Sequence, residues 1–281
     1  MTTTIDPTPT APETSPQLPS PLSLGLRRGL IETKQFFREK DAVVFTFLFP
    51  VIMLMIFGSV FSGELENSGV DVKQYFTAGM IASGIMGSTF VTLGVGIAVD
   101  REDGTLKRLR GAPVPAWAYF AGKILMVLVS VLAQVVILLI LGTVFFGLEL
   151  PTEAGRWMTF GWVFLLGVVG CSLLGIAISS VPRTAKSATA VIQMPYIVLQ
   201  FISGVFFVYS ELPPFLQQVA AVFPLKWLTQ GLRSVFLPDS FAAIEPAGTW
   251  EHGRTALVLC AWLLIGVVLC LRTFRWSARK S

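Results

Sequence analysis

Six long stretches of this 281-residue sequence contain no charged residue, and they restrict the fold more than any other feature. They cover residues 43–61, 76–99, 124–148, 157–181, 188–208 and 255–271. A helix needs about 20 apolar residues to cross the roughly 30 Å hydrocarbon core of a bilayer. The first five stretches have 19 to 25 residues, and the shorter last one is flanked by Arg254 and Arg272, which can anchor it at both interfaces. The sequence therefore predicts an all-α integral membrane protein with six transmembrane helices.

The charged residues are few, and they are distributed unevenly between the two sides of the predicted bundle. Only 14% of the residues are charged, whereas soluble domains have about 25%. When successive connecting segments are assigned to alternate sides, 16 of the Lys and Arg residues lie on one side and 5 on the other. Because Lys and Arg concentrate in cytoplasmic loops, the sequence predicts a multi-pass protein of a bacterial-type plasma (inner) membrane with both termini in the cytoplasm.

The first 40 residues form two segments of different character. Residues 1–22 include six Thr and six Pro, which predicts a disordered cytoplasmic tail ahead of a transmembrane domain of residues 23–281. Between residues 22 and 40, Leu26, Leu30, Thr33 and Phe37 recur at helical spacing and would share one face of a helix. The basic residues Arg27, Lys34 and Arg38 each follow one position further round. This pattern predicts an amphipathic helix in the headgroup plane. The alternative is a plain cytoplasmic lead-in to the first span.

The connection between the fifth and sixth spans, residues 209–254, is long and unusually apolar for a loop in water. Unstructured loops of more than about 12–15 residues are uncommon. Two helical segments, 215–222 and 227–236, flank Phe223-Pro224-Leu225, and ten residues of helix cover only about 15 Å. We therefore expect a re-entrant helical hairpin. The rival interpretation counts seven spans, but it would put the basic C-terminal residues outside the cell.

The loop between the second and third spans has the signals of a short helix. The acidic residues Asp100, Glu102 and Asp103 come toward its start, and the basic residues Lys107, Arg108 and Arg110 come toward its end, an order that suits the helix dipole. Gly111 and Pro113 then stop the helix. The loop is predicted to be a short amphipathic helix that exposes Leu106 and Leu109 for docking. The alternative is a solvated turn that only fixes the topology.

Several kinds of chemistry are excluded by the residues themselves. A P-loop requires G-x-x-x-x-G-K-[ST], but at the only Gly-Lys, Gly122-Lys123, Trp117 stands where the first Gly should be and Ile124 follows the Lys. We therefore expect no ATP hydrolysis by this chain alone and no cofactor in it. The single histidine, His252, has no partners at metal-ligand spacing, so no metal site is predicted. Nucleic acid is not an expected partner.

Two faces are candidates for the path of a transported molecule. None of the six stretches contains an ionisable residue, and intramembrane charges usually mark ion or proton paths. An uncharged path suits an amphipathic or lipid-like solute that is moved by external energy. In the fifth span one side carries Gln193, Tyr196, Gln200 and Ser203, and in the first span a stripe of aromatic and methionine residues includes Phe49 and Met53. The alternative for both faces is helix packing, in which a buried amide contributes about 0.6 kcal/mol.

Motifs along almost the whole chain after residue 22 resemble the type-2 family of ATP-binding-cassette export permeases, which includes drug-resistance transport permeases. The most specific motif is the loop Arg101-Glu-Asp-Gly-Thr-Leu-Lys-Arg-Leu109, followed by Pro113. Supporting motifs are the amphipathic N-terminal helix, Phe49-Pro50, Ser203-Gly204, Leu212-Pro213, Pro224-Leu225 and Gly231-Leu232-Arg233.

The resemblance implies a function and a set of partners. It implies a homodimer or heterodimer of permease subunits with two ATPase subunits, which bind ATP and Mg²⁺ and energise export of an amphipathic drug or lipid-like substrate. It also implies that the loop is the coupling helix to the ATPase, with Arg101, Glu102, Gly104, Thr105, Leu106 and Leu109 as its contact residues. The alternatives are a membrane-embedded lipid-modifying enzyme and an ion-coupled secondary transporter.

Overall fold

The computed structural model describes residues 21–61, 63–65, 69–111 and 116–274, so residues 1–20 of the predicted disordered tail lie outside the described part. The helices are α1 (Pro21–Arg38), α2 (Lys40–Val60), α3 (Val72–Met86), α4 (Leu93–Glu102), α5 (Thr105–Arg110), α6 (Ala116–Phe146), α7 (Ala154–Ile178), α8 (Ala185–Ile202), α9 (Pro214–Val222), α10 (Pro224–Phe236) and α11 (His252–Thr273). A π-helical turn, Gly87–Thr92, joins α3 to α4 into one continuous rod. No strand occurs in these ranges, and the chain is all-helical there.

Among the described residues, five helices are long and apolar enough to cross a membrane. They are Val43–Val60, Val72–Glu102, Trp117–Phe146, Ala154–Ile178 and His252–Thr273, and they coincide with five of the six predicted spans. The remaining predicted span, residues 188–208, corresponds to α8. That helix has 18 residues and is less apolar because it contains Lys186, Gln193 and Gln200.

The α8 helix ends at Ile202 because the chain turns sharply at Gly204. Gly204 has a left-handed backbone conformation (φ 78°), which glycine adopts without strain. A Cβ atom at this position would lie 2.8 Å from Nη1 of Arg233 and 3.0 Å from the hydroxyl of Tyr75. The turn therefore brings the end of α8 against α3 and α10, and residues 203–208 do not continue the helix.

The α3–π–α4 rod forms the centre of the bundle, and most of its side chains are buried. It packs against α2, α6, α7 and α8. A Cβ atom at Gly175 would lie 2.6 Å from the carbonyl oxygen of Thr89, so a small residue is required where α7 crosses the π turn. The α10 helix is buried along its whole length between α3, α7 and α11, whereas α2 and α11 are largely exposed.

The α9–α10 connection lies well along α11 rather than beside its first residue. The indole Nε1 of Trp262 donates a hydrogen bond to the carbonyl of Val222 (2.7 Å), and its ring stacks on Phe223. Because α11 begins at His252, ten residues of helix separate this contact from the start of α11, which is about 15 Å. The last turn of α10 returns to that start, where Ser234 Oγ lies 3.0 Å from His252 Nε2.

Candidate functional site

The predicted coupling segment forms an elbow in which α4 ends at Glu102 and α5 begins at Thr105. Gly104 allows this elbow because its backbone is left-handed (φ 75°), a conformation that costs glycine little. The elbow therefore replaces the single short helix that we expected from residue 100 onward. The predicted residues lie together at this elbow, although they do not share one exposed face.

The structure overturns one feature of the predicted docking surface. We expected Leu106 and Leu109 to be exposed, but Leu106 is 0% exposed and belongs to the hydrophobic core. Leu109 is half-buried and packs against the same core. The reason is that the elbow turns the apolar side of α5 inward, where Leu106 joins the core and Leu109 packs against it. The prediction of an exposed Leu106 was therefore wrong, because the apolar face of α5 is already covered within the chain.

Arg101 and Glu102 both contact the segment that connects α7 to α8. The buried Arg101 guanidinium donates to the carbonyl of Pro182 (3.2 Å). The exposed Glu102 carboxylate accepts a hydrogen bond from the backbone amide of Ala185, the first residue of α8. A carboxylate at a helix N-terminus is favoured by the helix dipole. The elbow and the α7–α8 connection are thus fastened to each other.

Four charged residues and a tyrosine form what we term the α1–α4–α6 ion network: Arg28, Glu32, Asp100, Tyr119 and Lys123. The buried Lys123 ammonium lies 2.7 Å from Glu32 Oε2 and 2.8 Å from Asp100 Oδ2, and so it bridges α1 and α4 from α6. The Tyr119 hydroxyl donates to the same oxygen of Asp100 (2.7 Å), and Arg28 pairs with Glu32 within α1 (2.5 Å). Two cations and two carboxylates balance in charge.

Close backbone packing between α1 and α6 supports this network. The face of α1 turned toward α6 carries Gly25, Gly29, Glu32 and Phe36, all buried. A Cβ atom at Gly122 of α6 would lie 3.2 Å from the backbone nitrogen of Gly29. The opposite side of α1 exposes large apolar residues beside its basic ones: Leu26, Leu30, Ile31 and Phe37. The sequence analysis overlooked Glu32, although an acid on a glycine-rich face was a usable signal of a buried ion pair.

A cavity of about 470 Å³ lies halfway along the helices, between α2, the rod, α6 and α8. None of its lining residues is charged. They are Phe45, Thr46, Phe49, Pro50, Gly84, Gly87, Ser88, Val91, Thr92, Gln134, Thr189, Gln193 and Tyr196. Aromatic side chains of α2 thus face amide and hydroxyl groups of α6, α8 and the rod, an arrangement that can hold an uncharged part of an amphipathic solute.

The cavity brings together only some of the residues predicted for a substrate path. Phe49, Gln193 and Tyr196 line it. Met53 is half-buried and packs against the core, and it is not among the lining residues. Gln200 and Ser203 are buried beyond the cavity, on the same side of α8.

A hydrogen-bonded cluster at one edge of the cavity explains the burial of Gln200. Gln200 Nε2 donates to Ser83 Oγ (2.5 Å), and the Tyr196 hydroxyl donates to the carbonyl of Ser83 (2.9 Å). A Cβ atom at Gly87 would lie 2.9 Å from that hydroxyl, so the glycine leaves room for the tyrosine. Tyr196 therefore belongs both to the cavity wall and to the contact between α8 and α3.

Gln134 of α6 is a cavity residue that the sequence analysis missed. Pro50 has no backbone N–H, so the carbonyl of Thr46, four residues earlier in α2, has no partner within the helix. Gln134 Nε2 donates to that carbonyl (2.7 Å), and its Oε1 accepts from Ser88 Oγ (3.3 Å). The Pro50 motif was noticed in the sequence, but the side chain that completes it belongs to a distant helix.

A second group of buried charges, which we term the α10 ion cluster, comprises Lys226, Arg233, Glu245 and Glu251. The Arg233 guanidinium is 0% exposed; its Nε lies 2.8 Å from Glu245 Oε1, and its Cζ lies 4.9 Å from the centre of the Tyr75 ring. Lys226 hydrogen-bonds Gln230 and lies 3.9 Å from Glu251. The cluster closes the region where the Gly204 turn meets α10.

Comparison with known proteins places these features in a family. The sequence model of the ABC-2 type transporter family matches residues 29–237, more than half of the chain. A protein named as a transport permease (YvfS) in Bacillus subtilis (strain 168) is 21% identical over 86% of this chain and 94% of its own length. A daunorubicin resistance ABC transporter permease, DrrB1 of Streptomyces coeruleorubidus, is 26% identical over 81% of this chain and 77% of its own length.

A further relative shows how far the similarity extends. A protein named as a multidrug ABC transporter permease (YbhR) in Escherichia coli (strain K12) is 24% identical over 66% of this chain, but the match covers only 49% of its own length. The family match includes the rod, the elbow, the cavity and all of α10. The chain therefore belongs to the ABC-2 type transporter family of membrane permeases.

Proposed function

We propose that this chain is the transmembrane subunit of an ATP-binding-cassette exporter that moves an amphipathic drug or lipid-like molecule out of the cytoplasm. The observation that carries the substrate class is the uncharged cavity, in which aromatic walls face amide and hydroxyl groups. A charged solute there would lose its hydration without gaining an ion pair, at a cost of several kcal/mol. The names of two relatives, which refer to multidrug and daunorubicin resistance, support the same class.

The proposed topology has six spans with both termini in the cytoplasm. The α8 helix adds the fifth span in chain order to the five long apolar helices. Its 18 residues extend about 27 Å, and its amide groups face the cavity and α3 rather than the outside. The asymmetry of 16 against 5 basic residues supports the orientation. The α1 helix lies in the headgroup plane, where its exposed leucines enter the bilayer and Arg27, Lys34 and Arg38 face anionic lipid.

We further propose that α9 and α10 form a re-entrant hairpin in the outer leaflet. The hydrogen bond from Trp262 to Val222 supports this, because it holds the α9–α10 connection about 15 Å along a spanning helix. The α9–α10 connection is then at membrane depth, and α10 meets the start of α11 through Lys226, Gln230 and Ser234. This arrangement also explains why Lys226 and Arg233 are paired with acids.

The proposed partners are two ATPase subunits, which hold ATP and Mg²⁺, and a second permease subunit in a homodimer or heterodimer. The elbow formed by Arg101, Glu102, Gly104, Thr105 and Leu109 transmits ATPase motion to the spans; the buried Leu106 holds α5 in place rather than touching the partner. Because the elbow is bonded to the start of α8, a push on the elbow also reaches a wall of the cavity.

The experiment is transport in vesicles that contain this permease and the P-loop ATPase that copurifies with it, using a panel of labelled amphipathic compounds. Gln193→Leu removes an amide from the cavity. It should lower the transport rate of substrates with hydrogen-bonding groups by about tenfold relative to substrates without them. Met194→Leu is the matched control, because Met194 is exposed on α8 and does not line the cavity. Equal profiles for both variants and the wild type would contradict the proposed path, and absence of ATP-driven transport would contradict the function.

A further inference from the structure

The α1–α4–α6 ion network contains a side chain whose two carboxylate partners belong to two different helices, α1 and α4. Lys123 is buried and contacts one carboxylate of α1 and one of α4 at nearly equal distances, 2.7 and 2.8 Å. Glu32 and Lys123 are 91 positions apart in the sequence, and no other residue of the described network contacts carboxylates from two different helices. The ammonium is therefore the point at which three helices are joined.

Asp100 connects the Lys123 joint to the elbow. Asp100 immediately precedes Arg101 and Glu102, whose side chains are fixed to the α7–α8 connection. On its other side the joint reaches Glu32, in the middle of α1. The link between α1 and this end of the rod thus runs through the Lys123 ammonium of α6, whereas α1 packs closely against α6 through glycines.

We propose that Lys123 is a positioning residue that makes α1 follow the elbow, so that α1 and the elbow move as one unit during transport. This inference rests on the proposed function for its role in coupling, but the joint itself is a property of the permease alone. Removing the ammonium leaves Glu32 and Asp100 facing each other, and like charges at this distance repel. The α1 helix would then keep its packing on α6, and only the Tyr119 hydroxyl of α6 would still hold Asp100, so the distance between α1 and the elbow would vary more.

Two measurements test the joint, and both use Lys123→Met. Spin labels at Lys34 on α1 and Lys107 on α5, which are both exposed, report the α1–elbow distance by pulsed electron resonance in nanodiscs, after replacement of the native cysteines and dilution with unlabelled subunit. The wild type should give a narrow distribution and the variant a broad one. In vesicles with the partner ATPase, the variant should transport at least about fivefold less substrate per ATP hydrolysed.

The matched control is Arg28→Gln, which removes the ion pair inside α1 but leaves the bridge to α4. It should keep the narrow distribution and change transport per ATP by less than about twofold. A variant that only loses stability reduces the amount of active protein without changing transport per ATP. A narrow distribution and normal stoichiometry in Lys123→Met would overturn the proposal. If the wild type shows no ATP-driven transport, the proposed function fails, and the distance measurement still decides whether the joint exists.

Discussion

Two groups of buried charges lie at opposite ends of the rod of residues 72–102, and they are constructed differently. The α10 ion cluster contains residues that lie close together in the sequence, with Arg233 and Glu245 separated by 12 positions. The α1–α4–α6 ion network joins Glu32, Asp100 and Lys123, which come from three helices. The α10 ion cluster holds one short segment of the chain together, whereas the α1–α4–α6 ion network connects three helices that are far apart in the sequence.

The two groups of charges are expected to contribute differently to folding stability and to the relative positions of the helices. A buried ion pair often adds little net stability over an apolar pair of the same size, because both charges must be desolvated. An ion pair that closes a local segment can therefore be replaced as a unit. A lysine shared by two carboxylates cannot be replaced in this way, because removing it together with one carboxylate leaves the other carboxylate without a cation. The α10 ion cluster is thus expected to matter for folding, and the α1–α4–α6 ion network for the relative positions of helices.

The largest expected effect is at Arg233. Arg233→Met leaves Glu245 buried without its partner and should destabilise the protein by about 3–5 kcal/mol. The measurement is thermal unfolding in detergent, together with the yield of folded protein. The double variant Arg233→Met/Glu245→Met should recover most of the loss, because no unpaired charge remains. A double variant as unstable as the single one would show that the loss does not come from the unpaired charge of Glu245.

A smaller effect, with the opposite behaviour in the double variant, is expected at Lys123. Lys123→Met should destabilise the protein by about 2–3 kcal/mol, less than Arg233→Met, because Asp100 is 21% exposed and can regain water. The second change Glu32→Gln should restore only part of the loss, since Asp100 stays without a cation. The same unfolding assay serves for both. Full recovery of stability in the double variant would show that Lys123 and Glu32 behave as a replaceable pair, as Arg233 and Glu245 are expected to do.

The smallest expected effect on stability is at Glu102, which is exposed. Glu102→Gln keeps an oxygen that can accept from the amide of Ala185 and should change stability by less than about 1 kcal/mol. Glu102→Lys places a cation at the start of α8 and should lower substrate-stimulated ATP hydrolysis in reconstituted vesicles. Equal coupling in both variants would mean that the contact between the elbow and α8 carries no motion.

The helices were predictable from the sequence because the thickness of a bilayer sets the length of an apolar span. Five predicted spans correspond to helices that are long and apolar enough, although most of these helices extend further at their N-terminal ends. The cavity was predictable only in part. Phe49, Gln193 and Tyr196 were found because helical spacing shows which residues share a side of one helix.

What the sequence did not reveal depends on contacts between distant helices. Helical spacing cannot show which face of α6 meets α2, so the bond from Gln134 to the free carbonyl of Thr46 was missed. It also cannot tell an apolar side that docks on a partner from one that is covered within the chain, which is why the burial of Leu106 was not foreseen. The shared lysine of the α1–α4–α6 ion network was overlooked for the same reason, since Lys123 stands at the edge of a predicted span.

The π-helical turn Gly87–Thr92 fixes the angular phase between the two halves of the rod. Each residue of an α-helix advances about 100° around the axis, and a π turn accommodates one residue more than an α turn. If the same residues formed α turns instead, with none deleted, α4 would be rotated by about 100° relative to α3. Asp100 would then point away from Lys123 while Tyr75 kept its place beside Arg233. The π turn thus sets the direction that α4 faces relative to α3, without a break in the helix.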